Sequence, residues 1–547
     1  MTLFLTGIVL LVVGYFTYGR FVEKVVGPDD RETPALTHSD GVDYVVLPKW
    51  KNMLIQLLNI AGVGPVIGVI LGIKFGPIVF LLIPIGNIFG GAVHDFVSGM
   101  FSVRNAGCNL PAQMRMTLGN WYYRFMTVFL CVILLLVVAV FINVPANLLI
   151  NIPDGGAKEY FWPVAGAIFV YYILAMLFPV MLVVAVFINV PANLLINIPE
   201  GGAKEYFWLV VGAIFVYYIL ATLFPVDKII GRIYPFFGAL LLLGTALLGG
   251  SLVWEYFQPG SPDFLAMTEP MRETAKLQGP VIPCLFVTIA CGILSGFHAT
   301  QSPIVARTMV SEREGRATYY GMMVLEGIIG MIWAAGGMAI YHLMPEQLAK
   351  DPNAVLGVIV NRFIGSYGAM VTVLAVVILA ITSGDTALRS LRMSLAEVLQ
   401  FPQKTLMNRI LLCLPLIAIL AGLLFWSNRD ADSFKLLWNY FAWGNQVLAA
   451  STLMGCTVWL ASQRKCWLVT LVPGMFMTFV ILSFILFAPG EYKLPQGLDL
   501  PLNTAYGIAG ALTLTFAVIC VARGRKMARE NEVFQGSNES EIQEVNE

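Results

Sequence analysis

Four residues combine ionisable chemistry with an apolar setting: His94 and Asp95 in GGAVHDF, His298 in SGFHATQSP, and Glu326 in MMVLEGIIGMIWAAGG. The chain has only 4 histidines, and two of them fall inside apolar runs. An ionisable group at the centre of a membrane helix costs roughly 2.5–3.5 kcal/mol on insertion scales, so it faces a partner or a cavity. Histidine titrates near neutral pH, and next to carboxylates it is suited to a proton relay; taken singly, each histidine fits a neutral structural role equally well. AITSGDTALRS offers different chemistry. Thr382, Ser383 and Thr386 supply hydroxyl oxygens for a small hard cation such as Na⁺, with backbone carbonyls near Ala61 as further ligands. Asp385 and Arg389, four residues apart, share one helix face, and Asp385 is either half of an interfacial ion pair or a proton carrier.

Substrate contacts are expected at two interrupted apolar runs. NIAGVGPVIG places Asn59, Gly62, Gly64 and Pro65 in mid-run, and SGFHATQSP does the same with Ser295, Gly296, Phe297, Thr300, Gln301 and Ser302. Proline removes a backbone hydrogen bond and glycine weakens a helix. Unpaired backbone at membrane depth survives only where it is buried in protein or lines a cavity. Close helix packing through small residues is the competing explanation. Asn445 and Gln446, in YFAWGNQ with Trp443, read as packing and hydrogen-bonding residues first and as substrate or gate contacts second. If the breaks line a cavity, Gly62→Leu or Gly296→Leu abolishes uptake and spares membrane insertion.

The elements that must position these residues are transmembrane helices. Of the 547 residues, 58% are hydrophobic and 12% charged, against about 25% charged in soluble domains. No polar stretch is long enough for a soluble catalytic domain or ectodomain, and 33 basic against 33 acidic residues leave no bulk field for nucleic acid. About 15 spans meet the 20-residue criterion, near 3–19, 52–72, 78–101, 122–149, 161–179, 181–197, 206–226, 234–254, 280–304, 318–341, 366–384, 409–427, 436–461, 467–488 and 503–522. The first lacks a basic n-region and a cleavage site and is read as a retained span. Alternate loops hold about two thirds of the Lys and Arg, which puts the N-terminus outside and the C-terminus in the cytoplasm. Residues 1–522 form one transmembrane domain, and 523–547, ending NESEIQEVNE, read as a disordered tail. The 8 cysteines include no CxxC pair, so neither a disulfide framework nor a metal cluster is expected.

Residues 137–180 and 183–226 are nearly identical, differing at Asp154/Glu200, Pro163/Leu209, Ala165/Val211 and Met176/Thr222. A copy this close reads as a recent duplication or a sequence-assembly error rather than an ancient repeat. It adds two crossings and preserves downstream orientation. Leaving one copy out, five spans begin with the first interrupted run and five with the second, in opposite directions. That is an inverted five-plus-five arrangement, in which substrate and coupling ion bind where the broken helices meet.

DGVDYV, NIAGVGP, GGAVHDF, DKIIGRIYPFFGALLL, SGFHATQSP, ITSGDTALRSLR and YFAWGNQ together resemble the carbon starvation (CstA) family of membrane transporters. The resemblance runs over nearly the whole chain and departs from the family pattern at the duplicated segment. It implies an all-α polytopic membrane protein with a LeuT-like core, two discontinuous helices and peripheral spans, seated in a bacterial inner membrane. It also implies uptake of pyruvate or small peptides, coupled to an ion gradient, with no cofactor; the two intramembrane histidines favour H⁺ over Na⁺ as the coupling ion, and the balanced charge points to no nucleic-acid partner. No Walker A motif is present. A membrane-embedded enzyme would need more than the fragments at His94-Asp95 and HATQS, and a starvation sensor would need an output domain.

Overall fold

A computed structural model describes residues 1–62, 64–150, 211–212, 230–349, 352–429, 431–488 and 497–546. The expected spans 161–179, 181–197 and 206–226, which make up most of the duplication, lie outside the described residues except for 211–212. Among the described residues every regular element is a helix. Besides the short helical turns Pro34–Thr37 and Pro345–Ala349, they are in chain order α1 (Thr2–Val26), α2 (Lys49–Ile60), α3 (Gly64–Phe75), α4 (Val79–Arg104), α5 (Leu110–Leu118), α6 (Asn120–Ile150), α7 (Ile230–Tyr256), α8 (Glu269–Leu277), α9 (281–292) and α10 (Gly296–Ala306). The remainder are α11 (Glu312–Leu343), α12 (Pro352–Leu399), α13 (Leu406–Ser427), α14 (Ala431–Ser462), α15 (Leu468–Phe487) and α16 (Leu502–Asn546).

Each expected span outside the copied region coincides with one of these helices or helix pairs. Among the described residues 9 helices are long and apolar enough to cross a membrane, or 10 if α2 and α3, bent by 54°, count as one span. The protein is thus an all-α, multi-pass membrane protein. α12 is broken at Gly365, whose φ of +77° lies in the region that glycine adopts without strain. α16 continues to Asn546, so the backbone of the segment expected to be a disordered tail is helical, with Lys526 and Glu530 paired one turn apart.

Burial separates core from rim. In its most apolar stretch α11 is 83% buried, whereas α1 and α16 are each 28% buried and turn the rest outward. The core consists of α2–α3, α4, α6, α9–α10, α11, α12 and α14, and the outward apolar faces of α1, α13 and α16 suit lipid.

The two broken helices meet antiparallel. A methyl group added at Gly64 would lie 2.4 Å from Cys291 Cβ, at Gly68 3.0 Å from the Thr288 carbonyl, and at Gly72 2.0 Å from Ile289 Cγ2. Gly64, Gly68 and Gly72, one turn apart, therefore give α3 a bare stripe against α9, the small-residue packing expected between helices that have no hydrophobic force to join them in lipid. The other two halves also run side by side, with Asn52 of α2 bonded to Thr308 just past α10. Breaking and close packing, weighed as alternatives from the sequence, occur together here.

Candidate functional site

α4 and α11 each contain a π-helical turn, Asn87–Gly91 and Arg316–Gly321, just before the residues that carry charge. Such turns shift backbone carbonyls out of register and recur at functional sites. The two turns clasp one another: Asn87 Nδ2 donates to the Met323 carbonyl at 2.9 Å, and the Tyr320 hydroxyl donates to the Ile88 carbonyl at 2.9 Å. This clasp brings the following turns of α4 and α11 to face α10.

There the four ionisable residues form one row. His94 Nδ1 lies 2.8 Å from Asp95 Oδ1, His298 Nδ1 lies 3.1 Å from Asp95 Oδ2, and His298 Nε2 lies 3.8 Å from Glu326 Oε2. All four side chains are at most 1% exposed. The Asp95 carboxylate sits between two imidazoles, and His298 sits between two carboxylates. Among the described residues neither Glu326 oxygen has a hydrogen-bond partner, nor does His94 Nε2. The row can hold a proton and pass it between neighbouring residues of three helices.

At the first break Gly62 N–H turns back to the Ile60 carbonyl at 2.7 Å, and the Ser383 hydroxyl donates to the Leu58 carbonyl at 3.1 Å. Ser383 Oγ also stands 3.2 Å from where a methyl group on Gly62 would lie, and Thr386 donates to the Ser383 carbonyl. The side chains of Thr382 and Asp385 lie outside the described residues. Phe141 covers the break, 3.0 Å from where a methyl group on Gly62 would stand and edge-on to Phe297 at 5.8 Å.

At the second break Asn445 acts as a clamp. Its Oδ1 accepts from the Phe297 N–H at 2.7 Å, and its Nδ2 donates to Ser295 Oγ at 2.9 Å. Thr300 and Ser302 turn their hydroxyls to the Phe297 and His298 carbonyls. Asn445, Ser295, Thr300 and Ser302 thus hold the broken backbone, while the amides of Asn59 and Gln446 and Oε1 of Gln301 are buried with no hydrogen-bond partner among the described residues. Trp443 donates to the Ile481 carbonyl at 3.2 Å and joins α14 to α15, in keeping with a packing role.

Gly296 differs from the cavity expectation. A methyl group there would lie 2.3 Å from both the Ala449 nitrogen and the Asn445 carbonyl oxygen. Bulk at 296 enters the α10–α14 seam and not a cavity, so Gly296→Leu is expected to destabilise the fold by more than about 3 kcal/mol, as overpacking against backbone does. Thermal unfolding in detergent measures this; an unchanged midpoint would restore the cavity explanation.

Sequence reasoning missed a buried ion cluster at the charged end of the bundle. Asp43, in the segment leading into α2, accepts from Arg389 at 3.0 Å and from Arg392 at 3.0 and 3.1 Å. Burial pushes the Asp43 carboxyl up, but Arg392, Arg389 and Arg307 outweigh it and hold the group well below the usual carboxylate range. Arg104 pairs with the fully buried Glu312 at 2.8 Å and also caps the Val26 and Gly27 carbonyls at the end of α1. DGVDYV and the arginines of TALRSLR were the visible signals; the pairing itself spans more than 300 residues.

The family model described as carbon starvation protein CstA matches residues 1–360 and 346–483. An uncharacterized membrane protein of Haemophilus influenzae is 40% identical over 392 residues, covering 63% of this chain and 93% of that protein. The peptide transporter CstA of Campylobacter jejuni is 25% identical over 68% of this chain and 55% of its own length, and that of Escherichia coli 29% over 59% and 48%. The chain thus spans about half the length of the peptide transporters it matches. Among solved structures, MhsT in complex with L-phenylalanine is similar at a TM-score of 0.44 and 12% identity, covering 87% of this chain and 99% of that one. With a matching model over most of its length and motifs that fall on the two breaks and the buried row, the chain belongs to the carbon starvation protein CstA family.

Proposed function

We propose that this protein is a secondary active transporter of the inner membrane that imports pyruvate or small peptides together with protons. The observation that carries this reading is the row His94–Asp95–His298–Glu326, buried beside two antiparallel broken helices. Proton-coupled alternating access needs a titratable group at the substrate site and helices whose backbone can reorganise there. Curated relatives carry the name peptide transporter. A monocarboxylate needs only a helix N-terminus and one or two donors, so pyruvate fits the second break as well. A single observation favours Na⁺ as a second reading, the Ser383 hydroxyl on the first break. Uptake of labelled pyruvate and labelled dialanine into proteoliposomes, under an imposed proton gradient or an imposed Na⁺ gradient, tests both. Uptake that needs Na⁺ and ignores the proton gradient would overturn the proton reading.

Orientation is part of the same proposal. Arg104, Glu312, Asp43 and Arg389 gather at one end of the bundle, and Lys74 with the Leu348 carbonyl and His342 with the Ala266 carbonyl at the other. With the charged end cytoplasmic, a cysteine placed at 342–349 is labelled from outside and one at 313 is not. The reverse pattern would sink the orientation.

A further inference from the structure

The seam between α2 and α10 carries a polar stripe that neither the relay nor the clamped breaks use. Asn52, Gln56 and Asn59 recur at four and three residues, which puts them on one face of α2, and all three are fully buried. Asn52 fixes the register. Its Nδ2 donates to the Thr308 carbonyl at 3.1 Å and its Oδ1 accepts from the Thr308 hydroxyl at 2.7 Å, while eight residues further along α2 the Ile60 carbonyl stands beside the His298 ring. Gln56 and Asn59 therefore lie along the turns of α10 between Thr308 and His298, the turns that hold Gln301.

Both polar atoms of the Gln56 amide, both of the Asn59 amide and Oε1 of Gln301 are buried with no hydrogen-bond partner among the described residues. Each such atom is destabilising if it stays dry, because it gives up its bonds to water and gains none. The stripe is neutral, offers both donors and acceptors, and runs from a hydrogen-bonded closure at Asn52–Thr308 up to the carboxylate–imidazole row. Side chains of that kind stabilise small groups of water, each of which takes two to four polar partners.

We propose that Gln56, Asn59 and Gln301 line a narrow hydrated route along the α2–α10 seam that carries the proton between the His298–Glu326 pair and the charged end of the bundle, with Gln56 as its positioning residue. This rests on the proton-coupled reading above. The amides hold water in line without titrating, and the Asn52–Thr308 bonds close the route at its end nearest the charged cluster.

Two measurements test it, and the first needs no substrate. In a Cys466→Ser background, Gln56→Cys is expected to react with methanethiosulfonate ethylammonium about tenfold faster than Leu57→Cys, since a hydrated thiol ionises and a dry one does not. Equal rates overturn the route. The second compares Gln56→Leu with the wild type in proteoliposomes. The proton-gradient-driven component of uptake falls by about tenfold or more, the scale of a lost proton-transfer step, while counterflow without a gradient persists and Gln56→Asn recovers the driven component. Loss of counterflow and driven uptake by the same factor would make Gln56 a substrate contact and overturn the assignment. A gradient-responsive wild type whose Gln56→Leu variant responds equally rejects this route alone, whereas a wild type indifferent to the gradient rejects the coupling reading beneath it.

Discussion

Asp43→Asn lowers the unfolding midpoint of the detergent-solubilised protein by the equivalent of about 3–5 kcal/mol, the cost of removing one partner from a buried ion pair. Arg389 and Arg392 are both fully buried, and both point their guanidinium nitrogens at this carboxylate. The substitution keeps the shape and deletes the charge, so two positive groups face each other across an amide. The pair ties the segment before α2 to α12, so the loss also loosens the charged end of the protein. Asp30→Asn is the control, because the Asp30–Arg313 pair is exposed and exposed pairs contribute little. The pH sign follows from the depressed carboxyl of Asp43: its stabilisation is complete above the ordinary carboxylate range, declines as pH falls below that range, and is gone once pH has passed through the lower folded value. The wild-type advantage over Asp43→Asn is therefore full near neutral pH and shrinks as acid protonates ordinary carboxylates. An Asp43→Asn protein that melts with the wild type removes this cluster as a stabilising element.

His298→Ala reduces proton-driven uptake about 100-fold and flattens its dependence across about pH 5.5 to 8, the interval in which an imidazole changes charge. His298 is the link between Asp95 on α4 and Glu326 on α11, and alanine leaves those carboxylates with nothing between them. Asp95→Asn is expected to act in the same direction, since it deletes the carboxylate shared by both histidines, and His94→Ala less strongly because His94 bonds Asp95 from the far end of the row. Ser383→Ala with Thr382→Ala separates the two ions. Under proton coupling the pH profile survives that pair of changes, whereas loss of a strict Na⁺ requirement would favour an ion at the first break. A His298→Ala protein that keeps the wild-type pH profile ends the relay hypothesis.

The spans outside the copied region were legible because the thickness of the hydrocarbon core imposes a minimum apolar length, and a run of about 20 residues expresses that requirement locally. The two breaks were legible for a similar reason, since glycine and proline act on their own backbone. What Gly296 is for was not legible: the residue that forbids a side chain there belongs to α14, and no local pattern reveals it. At 523–546 a charged, polar segment continues the helix begun in the apolar run before it, which composition alone does not indicate.

By itself, the sequence determined the class of the protein, its helices, the places where two of them are interrupted, and which ionisable residues are set at membrane depth. Each of these is a one-residue or one-segment property, decided by transfer energy or backbone geometry. Tertiary structure alone decided that Asp95 meets His298 across 203 positions and that Asp43 meets Arg389 across 346. It also decided that Asn445 is spent on holding a break while Gln56, which the breaks did not single out, sits in an unsatisfied polar seam. A charge or amide announces its cost of burial wherever it occurs in the chain, but the partner that offsets that cost is set by how helices from distant segments pack.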